Sequence, residues 1–481
     1  MSTATVVGGG PNGLAAAITL AQKGIEVTVL EAADTVGGGV RSSTDVLPGL
    51  VVDNCAAIHP MAVGSPFVRA ARLDRYGLEW RAPEIDCAQP LDGGRAGVLH
   101  RSVEQTATGL GADAGLWRTL FAGPSAGFDA LGEDIMGPLV RIPAHPLRLA
   151  RFGAPTVAPA SALARAFRTR AGRALFGGVA VHTFRPLHLP LTSAIGLGIV
   201  TAGHRYGWPV VAGGSGRLTD AMVAALTDLG GRIETGQRID TATDLPPADV
   251  TLFDLAPPAV ARILGDRLPS RVCKSLSAFR FGPGAFKVDF AVAGGVPWTD
   301  PNVRRAGTVH LGGDFAEMAA TERMIARGEM PERPFVLVGQ QYLADPSRSD
   351  GDIHPLYAYA HVPNGYSGDA TEAIAAQIER FAPGFRDRIV GTAVRSTTEM
   401  SRYNANYVGG DICTGAKDIR QLVFGPRPTV HPYDLGLPGM YICSAATPPG
   451  PGAHGMCGAN AAAAALRHLT HSSATFERSL K

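Results

Sequence analysis

Near the start of the chain the run TATVV (residues 3–7) is apolar, and glycines follow it. Leu14, Ala17, Ile18 and Ala21 then recur at three- and four-residue spacing. The first pattern predicts a short strand, and the second a helix with one buried face. Residues 25–30 (IEVTVL) predict a second strand, ending at Glu31. Residues 61–130 are helical and mixed, with Arg69, Arg72 and Arg75 at helical spacing on an expected solvated face. Residues 220–229 predict a helix, and residues 248–255 (ADVTLFDL) a strand that ends near the first glycine-rich turn. In residues 281–298, Phe286, Val288 and Phe290 alternate with Lys287 and Asp289, giving a strand with an apolar and a polar face. His310 lies in another strand and turn, AGTVHLGG. Residues 337–348 and 354–365 predict further strands, the latter alternating Tyr357, Tyr359 and His361. Residues 372–381 predict a helix, residues 440–444 a strand, and the glycine-rich loop after it leads into a helix near Gly458.

Composition narrows the class. The 481 residues hold 45% apolar and 18% charged side chains, too apolar for a disordered chain, and the 60 glycines show no three-residue period, which excludes collagen. A formal charge of +2 gives no support for nucleic acid as a partner. Six widely spaced cysteines without CxxC or zinc spacing predict reduced thiols and no metal site. The N-terminus shows no signal-peptide pattern, and the longest apolar stretch, residues 189–203, falls short of the ~20 residues of a membrane span. The expected location is cytoplasmic, with peripheral attachment at the inner membrane surface kept open. That option comes from residues 135–219, where ten arginines occur without one Asp or Glu. Their partners are either carboxylates elsewhere in the fold or an anionic membrane surface.

Gly8, Gly10 and Gly13 have G-x-G-x-x-G spacing between the first strand and helix. Such glycines permit a tight turn, close approach to a pyrophosphate and close helix–strand packing, with the helix N-terminus facing the phosphates. Glu31, 18 residues beyond Gly13, is placed to accept two ribose hydroxyls, which argues against a 2′-phosphate and so against NADP. The order strand, glycines, helix, strand, acid predicts a dinucleotide site.

A second glycine cluster with an arginine follows at once, EAADTVGGGVRS (residues 31–42). Here the sequence resembles the flavoprotein superfamily of phytoene desaturases and amine oxidases, and within it the phytoene-dehydrogenase-like group. Further likenesses are Gly-Trp-Pro with two later glycines from Gly207, the Gly409–Gly410–Asp411 segment, Arg427–Pro428, and Gly455, Gly458, Asn460 and Ala461 near the end. The resemblance covers essentially the full chain. It implies FAD as cofactor, with Gly8, Gly10, Pro11, Asn12 and Gly13 at the pyrophosphate and Glu31 and Ala32 at the adenosine ribose. Gly37, Gly38, Gly39, Val40 and Arg41 would run toward the flavin, and Ile239 would touch the adenine. Ser444, Ala445, Gly455, Met456 and Asn460 would follow the ribityl chain and ring. The spelling SAATPPG at 444–450 departs from the family's usual Gly-Ala-Gly-Thr-His-Pro-Gly, two glycines and the histidine being replaced.

The fold implied is α/β: a Rossmann-like FAD-binding domain assembled from discontinuous segments (1–65, 202–265 and 400–481). A substrate domain (66–201 and 266–399) is inserted, built on a mixed or antiparallel sheet plus helices. The activity implied is that of an FAD-dependent oxidoreductase, a dehydrogenase, desaturase or oxidase. It would pass a hydride from a hydrophobic small-molecule substrate to flavin N5 and form a double bond. Dioxygen, a quinone or another acceptor would reoxidise the flavin. An amine oxidase, a polyene isomerase and a non-enzymatic carrier of the same architecture are the alternatives, and a homo-oligomer is left open. Three residues are candidates for catalysis. Lys287 is either near flavin or substrate, or a solvated or acid-paired strand residue. His310 either faces substrate or is a satisfied core residue. Asp411 is an acid or base or, with more weight, a turn cap. Trp208 either covers a ligand or packs between domains.

Overall fold

The structure, a computed structural model, describes residues 2–479, with side chains as far as Thr470. In chain order the strands of its two large sheets are β1 (Thr3–Val7), β2 (Glu26–Leu30), β3 (Ile85–Leu91), β4 (Arg95–Leu99), β5 (Arg232–Glu234) and β6 (Val250–Phe253). They continue with β7 (Gly284–Ala293), β8 (Ala306–Leu311), β9 (Val336–Gly339), β10 (Ile353–Val362), β11 (Ile389–Arg395) and β12 (Met440–Ile442). The helices that shape the site are α1 (Pro11–Ala21), α2 (Ala114–Ala126), α3 (Pro146–Thr156), α4 (Arg170–Ala180), α5 (Thr192–Tyr206), α6 (Gly216–Asp228) and α7 (Met456–Ser479).

One sheet is parallel throughout, in the order β12-β6-β1-β2-β5. Its strands come from chain regions more than 150 residues apart, because α1, α6 and α7 each bury an apolar face around it. The register sets Val7 level with Leu30 and with Phe253, and Phe253 level with Ile442. The residues that leave those strand ends, Gly8, Glu31, Asp254 and Cys443, therefore emerge side by side. Ligands of open parallel sheets bind at such carboxyl ends.

The other sheet is mixed, ordered β11-β7-β10-β9-β8-β3-β4, with β8 and β3 the parallel pair. Phe286, Val288 and Phe290 pack on one face with Val336, Val338, Leu356 and Ala358. The helices α2–α5 cover part of the other face, around Trp117, Phe121, Phe167 and Phe176. The architecture is thus a discontinuous Rossmann-like domain with an inserted mixed-sheet substrate domain, as the sequence led us to expect.

Local patterns fared unevenly. The stretch 337–348 is a strand only as far as Gly339, and two short turns of 3-10 helix, Gln341–Leu343 and Pro346–Arg348, take the rest. These turns seat Arg348, which is fully buried and bonds Asp53 at 2.7 Å and Asp345 at 3.3 Å. Asp53 also accepts from the Ser215 amide at 2.6 Å, which ties the inserted sheet to the start of α6. The polar face of β7 is not solvated: Lys287 and Asp289 are both buried and paired with each other. Alternation located the two faces correctly, but the polar one is covered by distant chain. In the arginine-rich region, Arg205 pairs with Asp129 at 2.5 Å and Arg170 with Asp314 at 3.8 Å. Arg173 and Arg185 bond backbone carbonyls of Phe167 and Lys417. No helix among the described residues is long and apolar enough to cross a membrane.

Candidate functional site

A single cavity of about 960 Å³ begins at the strand ends of the parallel sheet and extends between α3, α5 and the mixed sheet. At the Rossmann end its wall includes Gly8, Gly10, Pro11, Asn12, Glu31 and Ala32, then Gly38, Gly39, Val40 and Arg41. Ile239 and Ala445 border it as well. The backbone there leaves room that side chains would fill. Gly8 has φ +101°, and a Cβ on Gly10 would stand 2.6 Å from an Asp254 oxygen. A Cβ on Gly13 would overlap the Gly8 carbonyl, so α1 approaches β1 only because both are glycines. The start of α1 accordingly offers the positive end of its dipole and the Asn12 amide to an anion, Pro11 having no N–H and the Gly13 amide being held by Asp254.

The group that this arrangement fits is a dinucleotide such as FAD. Glu31, on the cavity wall, already accepts from the amides of Gly9 at 2.7 Å and Ala33 at 2.9 Å, and its carboxylate retains lone pairs for ribose hydroxyls. Asn12, on the wall, holds a buried side-chain oxygen without a hydrogen-bond partner. Of the other expected residues, Gly13, Ser444, Gly455, Met456 and Asn460 stand behind the wall. Gly455, with φ +70°, leaves no space for a Cβ beside Phe67 and Ala15. Asn460 donates to the Met136 carbonyl at 3.0 Å, and the Met456 amide to His454 at 3.1 Å.

Sequence reasoning missed Asp254, which follows β6 as Glu31 follows β2. It accepts from the Gly13 amide at 2.8 Å. Burial, reinforced by Glu31, raises its carboxyl to about 7 against the opposing effect of that amide. An acid ending a strand that returns to the nucleotide site was a usable signal, of the kind that identified Glu31.

The three candidates for catalysis are not on the cavity wall. Lys287 is locked to Asp289 beneath Tyr357, its ammonium 4.5 Å from the ring centre. Asp411 accepts from the amides of Gly282, Cys413 and Gly415 at 2.7–2.8 Å, clamping the loop whose Ile412 and Cys413 do border the cavity. His310 is fully buried, with His182 between it and the cavity. Tyr357, Tyr359, Tyr403, Tyr407 and Trp208 are on the wall, and Trp208 is buried there beside His182 and His310.

Away from the nucleotide end the wall is apolar: Met61, Leu149, Phe152, Ile195 and Ile199 are representative. The carboxylates that border the cavity, Glu31, Asp240 and Asp254, all belong to the Rossmann end. Near α3 the protein surface mixes apolar and basic residues: Leu139, on the cavity, is 42% exposed, and Ile142 and Leu147 are exposed beside it with Arg141, Arg148 and Arg151.

Comparison with known proteins agrees with this geometry. Residues 6–70 match the family model described as an NAD(P)-binding Rossmann-like domain. The chain is 24% identical over 307 residues to pyridine nucleotide-disulfide oxidoreductase domain-containing protein 2 of Rattus norvegicus, covering 54% of this chain and 52% of that one. It thus spans about half the length of that curated relative. Among solved structures, an oxidoreductase from Methanosarcina mazei superposes with a TM-score of 0.63 at 15% identity, over 97% of this chain and 100% of the other. Putrescine oxidase bound to putrescine gives 0.62 at 17% identity, over 98% and 99%. The chain has the fold of the amine-oxidase-like superfamily of FAD/NAD(P)-binding oxidoreductases, and these likenesses single out no one family within it.

Two predictions follow from the packing at the Rossmann end. A Cβ on Gly39 would overlap the Tyr407 hydroxyl, so Gly39→Ala should cost about 1–3 kcal/mol of stability. Adding Tyr407→Phe should restore most of the loss in thermal midpoint; a single variant indistinguishable from wild type would contradict the contact. The second concerns pH. An unfolded aspartate titrates near 4, and folded Asp254 near 7, so stability falls as pH rises through that window, because the unfolded chain releases a proton that folded Asp254 still holds. Asp254→Asn keeps an oxygen for the Gly13 amide. It should gain on the order of a few kcal/mol over wild type above about pH 7, and nothing below about pH 4. Urea midpoints measured across that range decide the matter, parallel pH profiles being the contrary result.

Proposed function

We propose that the protein is an FAD-dependent oxidoreductase acting on an uncharged, hydrophobic small molecule. The observation that carries this reading is the continuity of one cavity from the glycine-rich start of α1 to the apolar wall of α3 and α5. Gly8–Asn12, Glu31, Gly38–Arg41, Ile239 and Ala445 would hold the cofactor along that path. FAD, when bound, supplies a two-electron acceptor; dioxygen or a quinone would be its oxidant.

The chain's own residues would bind and orient the substrate and keep water out. Leu149, Phe152, Ile195 and Ile199 offer no hydrogen bonds, so a substrate lying against them is desolvated and held by shape. A protonated amine would find no carboxylate on that part of the wall, because the cavity's acids are all at the nucleotide end. Stranding an ammonium ion there costs several kcal/mol without a partner. This disfavours a cationic amine, despite the fold shared with putrescine oxidase. The exposed apolar residues beside Leu139 suit an oily molecule approaching from the surface.

An anaerobic screen tests the reading. Neutral lipophilic alkenes, saturated rings and polyenes should include compounds that bleach the visible absorbance of the bound oxidised flavin. Alkylamines protonated at the assay pH should not. Bleaching by amines alone would overturn the proposal in favour of an amine oxidase, and a preparation that takes up no flavin would overturn it altogether.

A further inference from the structure

His182 is the one imidazole on the cavity wall near the mixed sheet, and it does not stand alone. It lies in the 3-10 turn Val181–Thr183 that ends α4, and its Nε2 is 3.1 Å from Nε2 of His310 on β8. His310 Nδ1 is in turn 3.5 Å from the Cys87 thiol on β3, the strand paired with β8. Phe335 and Trp208 flank the pair, with ring centres 5.5 Å and 6.0 Å from His310. The turn can come this close because residue 178 of α4 is glycine: a Cβ there would stand 3.0 Å from His310 Nδ1 and overlap the Gln89 side chain. The other ring nitrogen of His182 has no protein partner among the described residues, while the residue borders the cavity.

We propose that His182, positioned by His310, is a hydrogen-bonding site for the neutral hydroxyl or carbonyl oxygen of an otherwise apolar ligand. Burial lowers the pKa of His182 to about 3 and that of His310 well below its usual value, so both rings are neutral. Two neutral imidazoles joined through Nε2 share one proton on that line. If His310 donates, His182 carries its own proton on Nδ1 and can donate to a carbonyl. If His182 donates, its Nδ1 is bare and accepts from a hydroxyl. The Cys87 thiol accommodates either state, donating to His310 Nδ1 when that atom is bare and accepting when it is protonated. The pair can therefore serve an alcohol and its carbonyl counterpart at one place. Against Leu149, Phe152, Ile195 and Ile199 an oxygen would lose its water without replacement.

This deepens the reading of the cavity as a site for an uncharged apolar substrate, and rests on it. The test uses three probes, n-octanol, methyl hexyl ketone and n-octane, with the flavin-loaded protein and headspace partitioning to measure binding. Wild type should bind all three, and hold the two oxygenated probes about fivefold or more tighter than their water-to-hydrocarbon partitioning relative to octane predicts. His182→Leu should lose that excess and leave octane binding unchanged, which also shows that the cavity is intact; His182→Gln should regain part of it. His310→Leu should keep octanol binding closer to wild type than His182→Leu does, but shift the octanol-to-ketone ratio, because it removes the partner that fixes the tautomer. An excess absent from wild type, or retained in His182→Leu, overturns the proposal while leaving the apolar reading standing. Failure of wild type to bind octane overturns both.

Discussion

Helix α1 can point its N-terminus at a diphosphate only if other backbone comes closer to it than side chains permit. Gly13 rests on the Gly8 carbonyl, and Gly458 of α7, more than 400 residues further on, rests on the Asn12 carbonyl. Between them Asp254, from the middle of the chain, accepts from the Gly13 amide. The first, central and last parts of the sequence are thus fastened within one turn of α1. A methyl group at Gly13 would push α1 away from the end of β1, and one at Gly458 would push away α7 and the loop before it that carries Ala445.

That fastening also determines where the inserted domain can stand. Arg348, fully buried, bonds Asp53 and Asp345, and Asp53 holds the Ser215 amide at the start of α6. Removing one member of a buried ionic cluster leaves an uncompensated charge, typically a loss of about 3–5 kcal/mol, so the junction does not tolerate loss of a single partner. With both sheets held in this way, the helices α3 and α5 close an apolar space over the strand ends. The charged Rossmann end and the oily arm are consequently parts of one cavity and differ in the chemistry they can receive.

Much of the Rossmann end was legible because backbone geometry there dictates residue type. Gly8 needs a positive φ, Gly13 needs the absence of a Cβ, and Glu31 ends a strand whose register is set by its neighbours. The sheet-and-insert architecture followed from such local signals taken in order. Side-chain fates in the inserted domain were harder to read. Lys287 and Asp289 alternate with Phe286 and Val288 as residues of a solvated strand would, yet the face they share is covered by distant chain, which no local period reports. His310 attracted attention as a strand histidine, but what brings it near the cavity is His182, 128 residues earlier in a short turn without any periodic signature. Asp254 had the better claim to notice, being an acid at a strand end like Glu31.

On the proposed reading, the three fastened segments make a site for FAD that opens into an apolar chamber. The most direct measurement is a titration of protein stripped of its flavin with FAD, NAD and NADP, followed by the change in flavin fluorescence and by competition. The account predicts stoichiometric uptake of FAD that neither nicotinamide dinucleotide displaces, lost when Gly458 is replaced by a larger residue. Tight binding of NAD without uptake of FAD would contradict it.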